Sequence, residues 1–155
     1  MINMTSKNIK VWLKEGEQSK ITSKIRKISS KFKGGNFGKI FSILNWIESN
    51  ISEEKDRKKV LKIFASRTAD QLIRERNDTG CHDTTVILVT FLRAVGIPAK
   101  YVLGIDKKSP TRGGHCVAEA YVNKTWILID PGEFKLNLIP ERSSFYKDNY
   151  LVKKG

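Results

Sequence analysis

A nearly unbroken apolar segment in the middle of the chain, Thr85 to Val95, constrains the fold most, because it must be buried. Its β-branched residues alone would favour a strand. Its length and the ending Arg93-Ala94-Val95-Gly96 are instead typical of a buried helix that stops at a glycine. We therefore predict a helix in the interior of the fold.

Strand signals follow this helix. Residues 99–105 come after Pro98, which cannot continue a helix, and predict a strand. Residues 115–122 and 125–129 predict a hairpin that turns at Asn123-Lys124. Strand alternation places Cys116 with the alanines of this hairpin on an apolar face that points to the core, and His115 on the opposite face.

Helical signals precede the buried helix. Apolar spacing from Ile40 to Ile51 predicts one helix, and Ser52-Glu53-Glu54 is predicted to start another that continues its pattern to Ile73. Asn77-Asp78-Thr79-Gly80 is a clear break before the apolar segment. Because helices come first and strands later, the order predicts an α+β fold.

The charge is unevenly distributed along the 155 residues. The chain carries a formal charge of +13, and residues 1–40 contain ten Lys or Arg and two acids, a net charge of +8. We predict that residues 1–39 form a basic N-terminal extension and that residues 40–155 form the functional domain. Such an extension is either a solvated arm or a docking segment for acidic partners, and both readings stay open.

Composition also limits the cellular setting. Two cysteines give no disulfide framework, the first ten residues lack the apolar core of a secretory leader, and no apolar stretch is long enough to span a bilayer. We therefore expect a cytoplasmic protein that does not act in a membrane.

Three residues stand out by type and context: Cys81, His115 and Asp130. Cys81 begins the predicted buried helix, whose N-terminus lowers a thiol pKa, and an imidazole partner would activate the thiol further. His115 begins one strand of the hairpin and Asp130 ends the other, so a carboxylate could orient the imidazole. The spacing is compatible with a Cys-His-Asp triad but does not by itself prove one.

Three ordered blocks resemble the transglutaminase-like superfamily. They are Gly80-Cys81-His82-Asp83 with the following Phe91 to Gly104 run, His115 to Val122, and Trp126-Ile127-Leu128-Ile129-Asp130-Pro131. The resemblance covers about residues 40–132 and implies a papain-like, transglutaminase-core α+β fold with the nucleophile at a helix N-terminus packed on an antiparallel sheet. It assigns Cys81 as nucleophile, His115 as base and Asp130 as the residue that orients the base.

Two positions depart from the family pattern. Val117 stands where many members have an aromatic residue, and Gly80 directly precedes the cysteine. Neither removes a triad atom. Gln71 is a candidate oxyanion donor by residue type, although its separation from Cys81 is unusual for papain-like enzymes and it could instead be solvated. We interpret Cys116 as structural, and we expect no metal and no cofactor because the cysteines and histidines lack a zinc-type spacing.

The resemblance implies a cysteine-dependent acyl-transfer enzyme that acts on amide bonds of proteins or peptides through a thioester. Hydrolysis, as in a protease, amidase or deamidase, is slightly favoured, and protein-glutamine transglutaminase activity is the alternative. An alternative of another class is a non-catalytic basic module that binds nucleic acid or an acidic protein. Nucleic acid is the less favoured partner, because the chain has no helix-turn-helix, zinc-finger or RNP-type motif.

Overall fold

A computed structural model of the protein describes residues 6–155, apart from the side chains of residues 6, 7 and 153. The α-helices are α1 (Ser6–Lys10), α2 (Ser23–Ser29), α3 (Asn36–Asn50), α4 (Arg57–Ile63), α5 (Ala69–Glu75), α6 (Cys81–Ala94) and α7 (Ser144–Asp148). Short 3-10 turns occupy Val11–Leu13, Pro110–Arg112 and Pro140–Arg142. Most of the helical structure thus precedes the strands, as the sequence predicts.

The strands form two sheets. They are β1 (Ser52–Glu53), β2 (Asn77–Asp78), β3 (Ala99–Asp106), β4 (Gly114–Val122), β5 (Thr125–Asp130), β6 (Lys135–Asn137) and β7 (Asn149–Lys154). The first two pair in parallel, and the other five form an antiparallel sheet in the order β6-β5-β4-β3-β7. The chain therefore has the predicted α+β architecture.

Helix α6 is the interior helix that the apolar segment predicts. Every residue from Asp83 to Arg93 is buried, and the helix packs on β3 and β4 as well as on α2, α3 and α5. Phe91, in the last turn of the helix, is fully buried and makes edge-to-face contacts with Phe32 and Trp46. Burying one such aromatic side chain contributes about 1.5–3 kcal/mol to the free energy of folding.

The predicted hairpin has the predicted turn. Asn123 and Lys124 both have positive φ, of 50° and 67°, and Val122 pairs with Thr125 across them. Positive φ at both central residues matches the right-handed twist of the two strands. The alternation along β4 is also as predicted, because Ala118 and Ala120 pack in the main core and Val117 packs against Phe145 on the other face.

The prediction of a helix start at Ser52-Glu53-Glu54 is wrong. Ser52 and Glu53 form β1, which pairs with β2 just before Cys81. The helix starts after Asp56, whose carboxylate accepts hydrogen bonds from the backbone N–H groups of Lys58 and Lys59. The predicted continuous helix is two helices, α4 and α5, because Thr68 caps a new start through a capping box.

The basic N-terminal segment packs against the rest of the chain from Ile9 onward. Ile9, Ile25 and Phe32 are buried, and the Thr22 hydroxyl donates to Asp70 at 2.5 Å. The Arg93 guanidinium bonds the carbonyl of Trp12 at 3.0 Å. This packing argues against a solvated arm over residues 9–32, while the division of the chain after residue 39 stays a prediction.

Within the described residues, no helix combines the length and hydropathy that a membrane crossing requires.

Candidate active site

The turn before α6 presents Cys81 at the first position of the helix. Gly80 is the N-cap and has φ 132° and ψ −160°, a conformation that L side chains rarely adopt. Its backbone N–H donates to the Asp78 carboxylate at 2.9 Å. Cys81 is partly exposed and lines a cleft, so a substrate can reach the residue.

A buried ion pair holds this turn in place. One carboxylate oxygen of Asp83, which is fully buried, accepts from the N–H and hydroxyl of Thr79, both at 2.8 Å. The same oxygen accepts from the guanidinium of Arg67 at 3.1 Å. Arg67 also bonds Glu75 and Asn77, at 2.6 and 2.5 Å. Neither Arg67 nor Asp83 was predicted as a site residue, although an acid in the first turn of a buried helix is a recognisable signal.

His115 and Asp130 lie side by side across β4 and β5. The imidazole Nε2 and the Asp130 Oδ2 are 2.6 Å apart. The other oxygen of Asp130 accepts from the backbone N–H groups of Gly132 and Glu133, at 3.0 and 3.3 Å, which fixes the carboxylate in the turn after β5. The hydrogen bond to Asp130 raises the pKa of His115 to about 10, and contact with Cys81 acts in the same direction.

Cys81 lies in hydrogen-bond contact with the side chains of both Cys116 and His115. Because Nε2 of His115 faces Asp130, Nδ1 is the nitrogen available to Cys81. A hydrogen bond from the Cys116 thiol is the largest cause that lowers the pKa of Cys81 well below its usual range; burial opposes it, and His115 adds to it. The structure therefore favours a thiolate beside an imidazolium, and it brings together all three residues that the sequence predicts as a triad.

Cys116 is buried, as predicted, but its thiol does more than fill the core. Its sulfur lies 2.7 Å from the Tyr101 hydroxyl, whose oxygen lies 2.8 Å from Nδ1 of His82. Its thiol donates to Cys81, and this hydrogen bond raises the pKa of Cys116 above its usual range. The interpretation of Cys116 as purely structural overlooked this contact, which arises because β4 begins directly beside the start of α6.

A cleft of about 460 Å³ opens beside the Cys81 thiol. Its walls come from α3, from the β1–β2 region and from the turn after β5. Four acidic residues line it: Glu48, Glu53, Asp78 and Glu133. Burial raises the pKa of Asp78 to about 6, and the nearby carboxylates of Asp83 and Glu53 act in the same direction. The cleft is therefore acidic although the chain as a whole is basic.

Gln71 does not contribute to this cleft. Its side-chain oxygen accepts from the backbone N–H of Thr68 at 2.9 Å and completes the cap of α5. Its exposed position matches the alternative that it is solvated rather than an oxyanion donor. The backbone N–H of Cys81, at the start of α6, is the donor that the structure offers beside the thiol.

In the part of the chain that the structure describes, no three or more His, Cys, Asp or Glu side chains come together as a group that could hold a metal ion.

Comparison with protein families adds a decisive observation. The profile of the transglutaminase-like superfamily matches residues 20–131, which is well over half of the chain. The chain belongs to the transglutaminase-like superfamily. The match begins upstream of the blocks that carry the resemblance in sequence, and it includes α2 and the buried Phe32. A comparison with curated proteins found no match.

Solved structures share the fold of this superfamily member. A candidate cysteine protease from Cytophaga hutchinsonii aligns with TM-score 0.69 and 22% identity over 96% of this chain and 47% of its own. A candidate protease from Parabacteroides distasonis aligns with TM-score 0.55 and 14% identity, over 84% and 29%. A TGase aligns with TM-score 0.51 and 17% identity, over 84% and 34%. This chain thus spans less than half the length of each of them, and the likeness concerns the fold.

Proposed function

We propose that this chain is a cysteine-dependent acyl-transfer enzyme that acts on amide bonds of proteins or peptides. One observation carries the proposal: the His115 imidazole contacts the Cys81 thiol and lies 2.6 Å from the Asp130 carboxylate. A thiol at a helix N-terminus beside an imidazole that a carboxylate orients is the arrangement that nucleophilic catalysis by cysteine requires.

The proposed reaction has two steps. The Cys81 sulfur attacks the carbonyl carbon of the amide, and the C–N bond breaks as His115 donates its proton to the leaving amine or ammonia. A thioester remains on Cys81. His115 then takes a proton from water, whose oxygen attacks the thioester and releases a carboxylic acid and the Cys81 thiolate, which restores the thiolate–imidazolium pair. With a primary amine in place of water, the product is a new amide.

Electrostatic support comes from the start of α6. The backbone N–H of Cys81 belongs to the unpaired amides of the first helical turn, and the positive end of the helix dipole lies at the same place. Negative charge on the sulfur, and later on the oxygen of the tetrahedral intermediate, is stabilised there.

We favour hydrolysis over amine transfer because Cys81 is partly exposed, so water has access to a thioester without a second substrate. Transglutaminase activity is the alternative outcome, in which a lysine amine enters the acidic cleft and replaces water as the acceptor.

The substrate that fits best carries positive charge close to the reacting amide. The acids Glu48, Glu53 and Glu133 line the cleft beside the thiol, and all three are exposed to solvent. Opposite charges on the substrate and on the cleft speed the encounter of the two and fix the position in which the substrate binds. No described residue of 1–39 lines this cleft, so the basic segment remains a separate proposed contact for acidic partners.

Mass spectrometry of reaction products tests the proposal. The purified chain is incubated with a peptide that carries Gln, Asn, ordinary peptide bonds and flanking lysines, with and without a primary amine. Cleavage or deamidation without amine incorporation is expected, and the activity should vanish in Cys81→Ala. Amine incorporation as the main product would overturn hydrolysis in favour of the transglutaminase alternative.

The binding-module alternative makes the opposite prediction. It requires that no product forms under any of these conditions and that the folded chain binds nucleic acid or an acidic protein with equal affinity in wild type and Cys81→Ala. Loss of that affinity with rising salt would mark a contact made by charge alone.

A further inference from the structure

The two cysteines of the chain form a contacting pair with opposite exposure. Cys81 and Cys116 are both free, and the hydroxyl of Thr85, one helical turn after Cys81 on α6, donates to the Cys116 carbonyl at 3.2 Å, so the two cysteine side chains lie against each other and each shifts the pKa of the other. Cys81 is partly exposed beside the cleft, whereas Cys116 is 4% exposed. Since the sequence contains only these two cysteines, any internal disulfide must join them.

We propose that Cys81 and Cys116 form a reversible disulfide when a hydroperoxide oxidises Cys81, with Cys116 as the resolving thiol. This role is independent of the acyl-transfer reaction, because it needs only the two sulfur atoms and the oxidant.

The first step consumes the peroxide. The Cys81 thiolate attacks one oxygen of hydrogen peroxide, the O–O bond breaks, and hydroxide leaves and is protonated to water. Cys81 becomes a sulfenic acid, Cys–S–OH. Access for a molecule as small as a peroxide is provided by the cleft and by the partial exposure of the thiol. A stabilised thiolate is the form that reacts, so the contacts from Cys116 and His115 support this step.

The second step joins the two sulfurs. The Cys116 sulfur attacks the Cys81 sulfur, the S–O bond breaks, and hydroxide leaves with the proton that Cys116 gives up, as water. Two thiols have then lost two electrons, and one hydrogen peroxide has become two waters. Oxidation removes the negative charge of Cys81, which is what keeps the Cys116 proton in place in the reduced protein.

The surroundings of Cys116 favour this internal step over release to solution. The Tyr101 hydroxyl, 2.7 Å from the sulfur, holds the side chain at the start of β4. The Thr85 hydroxyl donates to the Cys116 carbonyl at 3.2 Å and ties the same residue to α6, the helix that carries Cys81. The resolving thiol is therefore fixed beside its target and screened from other oxidants.

The chemical consequence is protection of the nucleophile. A sulfenic acid without a neighbouring thiol is oxidised further to sulfinic and sulfonic acids, which thiol reductants do not reverse. Formation of a disulfide prevents this further oxidation, and reduction of the disulfide restores the two thiols. The disulfide between Cys81 and Cys116 thus inactivates the Cys81 thiol while peroxide is present and protects it from irreversible oxidation.

Intact-mass spectrometry after treatment with hydrogen peroxide tests the proposal without any activity assay. Wild type is expected to lose the mass of two hydrogen atoms, to yield one cross-linked peptide that contains Cys81 and Cys116, and to recover its mass with dithiothreitol. Cys116→Ala is expected to gain two or three oxygen atoms at Cys81 that dithiothreitol does not remove. Cys81→Ala should keep its mass, because Cys116 is screened.

A wild-type protein that only gains oxygen, or whose disulfides join two molecules on a non-reducing gel, would overturn the proposal. The wild-type cross-link decides the matter even if the variants fold poorly, and circular dichroism reports whether they do. Since the readout is mass, failure here leaves the acyl-transfer proposal untouched, and failure of that proposal leaves this one standing.

Discussion

His115 and Asp130 are joined directly in the candidate active site: Nε2 of the imidazole lies 2.6 Å from Oδ2 of the carboxylate. The two residues lie on the neighbouring strands β4 and β5, and the carboxylate is fixed by two backbone N–H groups of the next turn. This contact leaves the other imidazole nitrogen for Cys81, and it is the largest cause of the rise in the pKa of His115.

The pH range of activity should depend on Asp130. Catalysis by a thiolate–imidazolium pair requires a pH above the pKa of Cys81 and below the pKa of His115, which is raised to about 10. Asp130→Asn removes the negative charge, so the pKa of His115 falls and the alkaline limb of kcat/KM moves to lower pH. At neutral pH we expect a loss of roughly 100-fold or more. A pH–rate profile beside Glu141→Gln, an exposed acid that does not line the pocket around His115 and Asp130, measures both effects. An unmoved alkaline limb would refute this role for Asp130.

The ionisation of Cys81 should respond to its neighbour Cys116. Cys116→Ala removes the S–H donor, so the pKa of Cys81 rises and the acid limb of thiol reactivity moves to higher pH. Cys116→Ser keeps a donor and should lie closer to wild type. The rate of iodoacetamide alkylation of Cys81 as a function of pH measures the shift directly. Identical curves for wild type and Cys116→Ala would show that the hydrogen bond between the thiols has no effect on ionisation.

The buried ion pair behind the Cys81 turn should be important for stability. Arg67→Met leaves the fully buried carboxylate of Asp83 without its partner, which costs about 3–5 kcal/mol in the free energy of unfolding. Arg74→Met removes the arginine of the exposed pair with Asp70 and should cost less than about 1 kcal/mol. Urea unfolding of both variants gives the comparison. Equal, small losses would mean that Asp83 is stabilised mainly by Thr79.

The acidic cleft should select basic peptides. Glu53→Gln and Glu133→Gln each remove one exposed negative charge beside the thiol, so each should lower kcat/KM about 2- to 5-fold for lysine-rich peptides and leave neutral peptides unchanged. Glu141→Gln, an exposed acid outside the cleft lining, is the matched control. The effect should shrink as salt rises. Equal losses on basic and neutral peptides would point to a structural role for these residues instead.

Local patterns in the sequence predicted a large part of this fold. The apolar run 85–95 marked a buried helix, the alternation along residues 115–122 marked a strand with two different faces, and Asn123-Lys124 marked the turn. These predictions succeed because burial and backbone conformation are imposed on residues close together in the chain. The helix start expected at Ser52 failed because pairing with the distant residues 77–78 took precedence over the local acidic signal.

Residue type, order and the resemblance to the transglutaminase-like superfamily also singled out Cys81, His115 and Asp130, since a helix start and two neighbouring strands make it possible for them to meet; their catalytic roles stay predictions. Only the tertiary structure placed Cys116 against Cys81, paired Arg67 with Asp83, and collected acids from α3, β1 and the turn after β5 into one cleft. These contacts join residues far apart in sequence. Their energies come from burial and charge at distances that only the folded chain sets, and no local pattern records them.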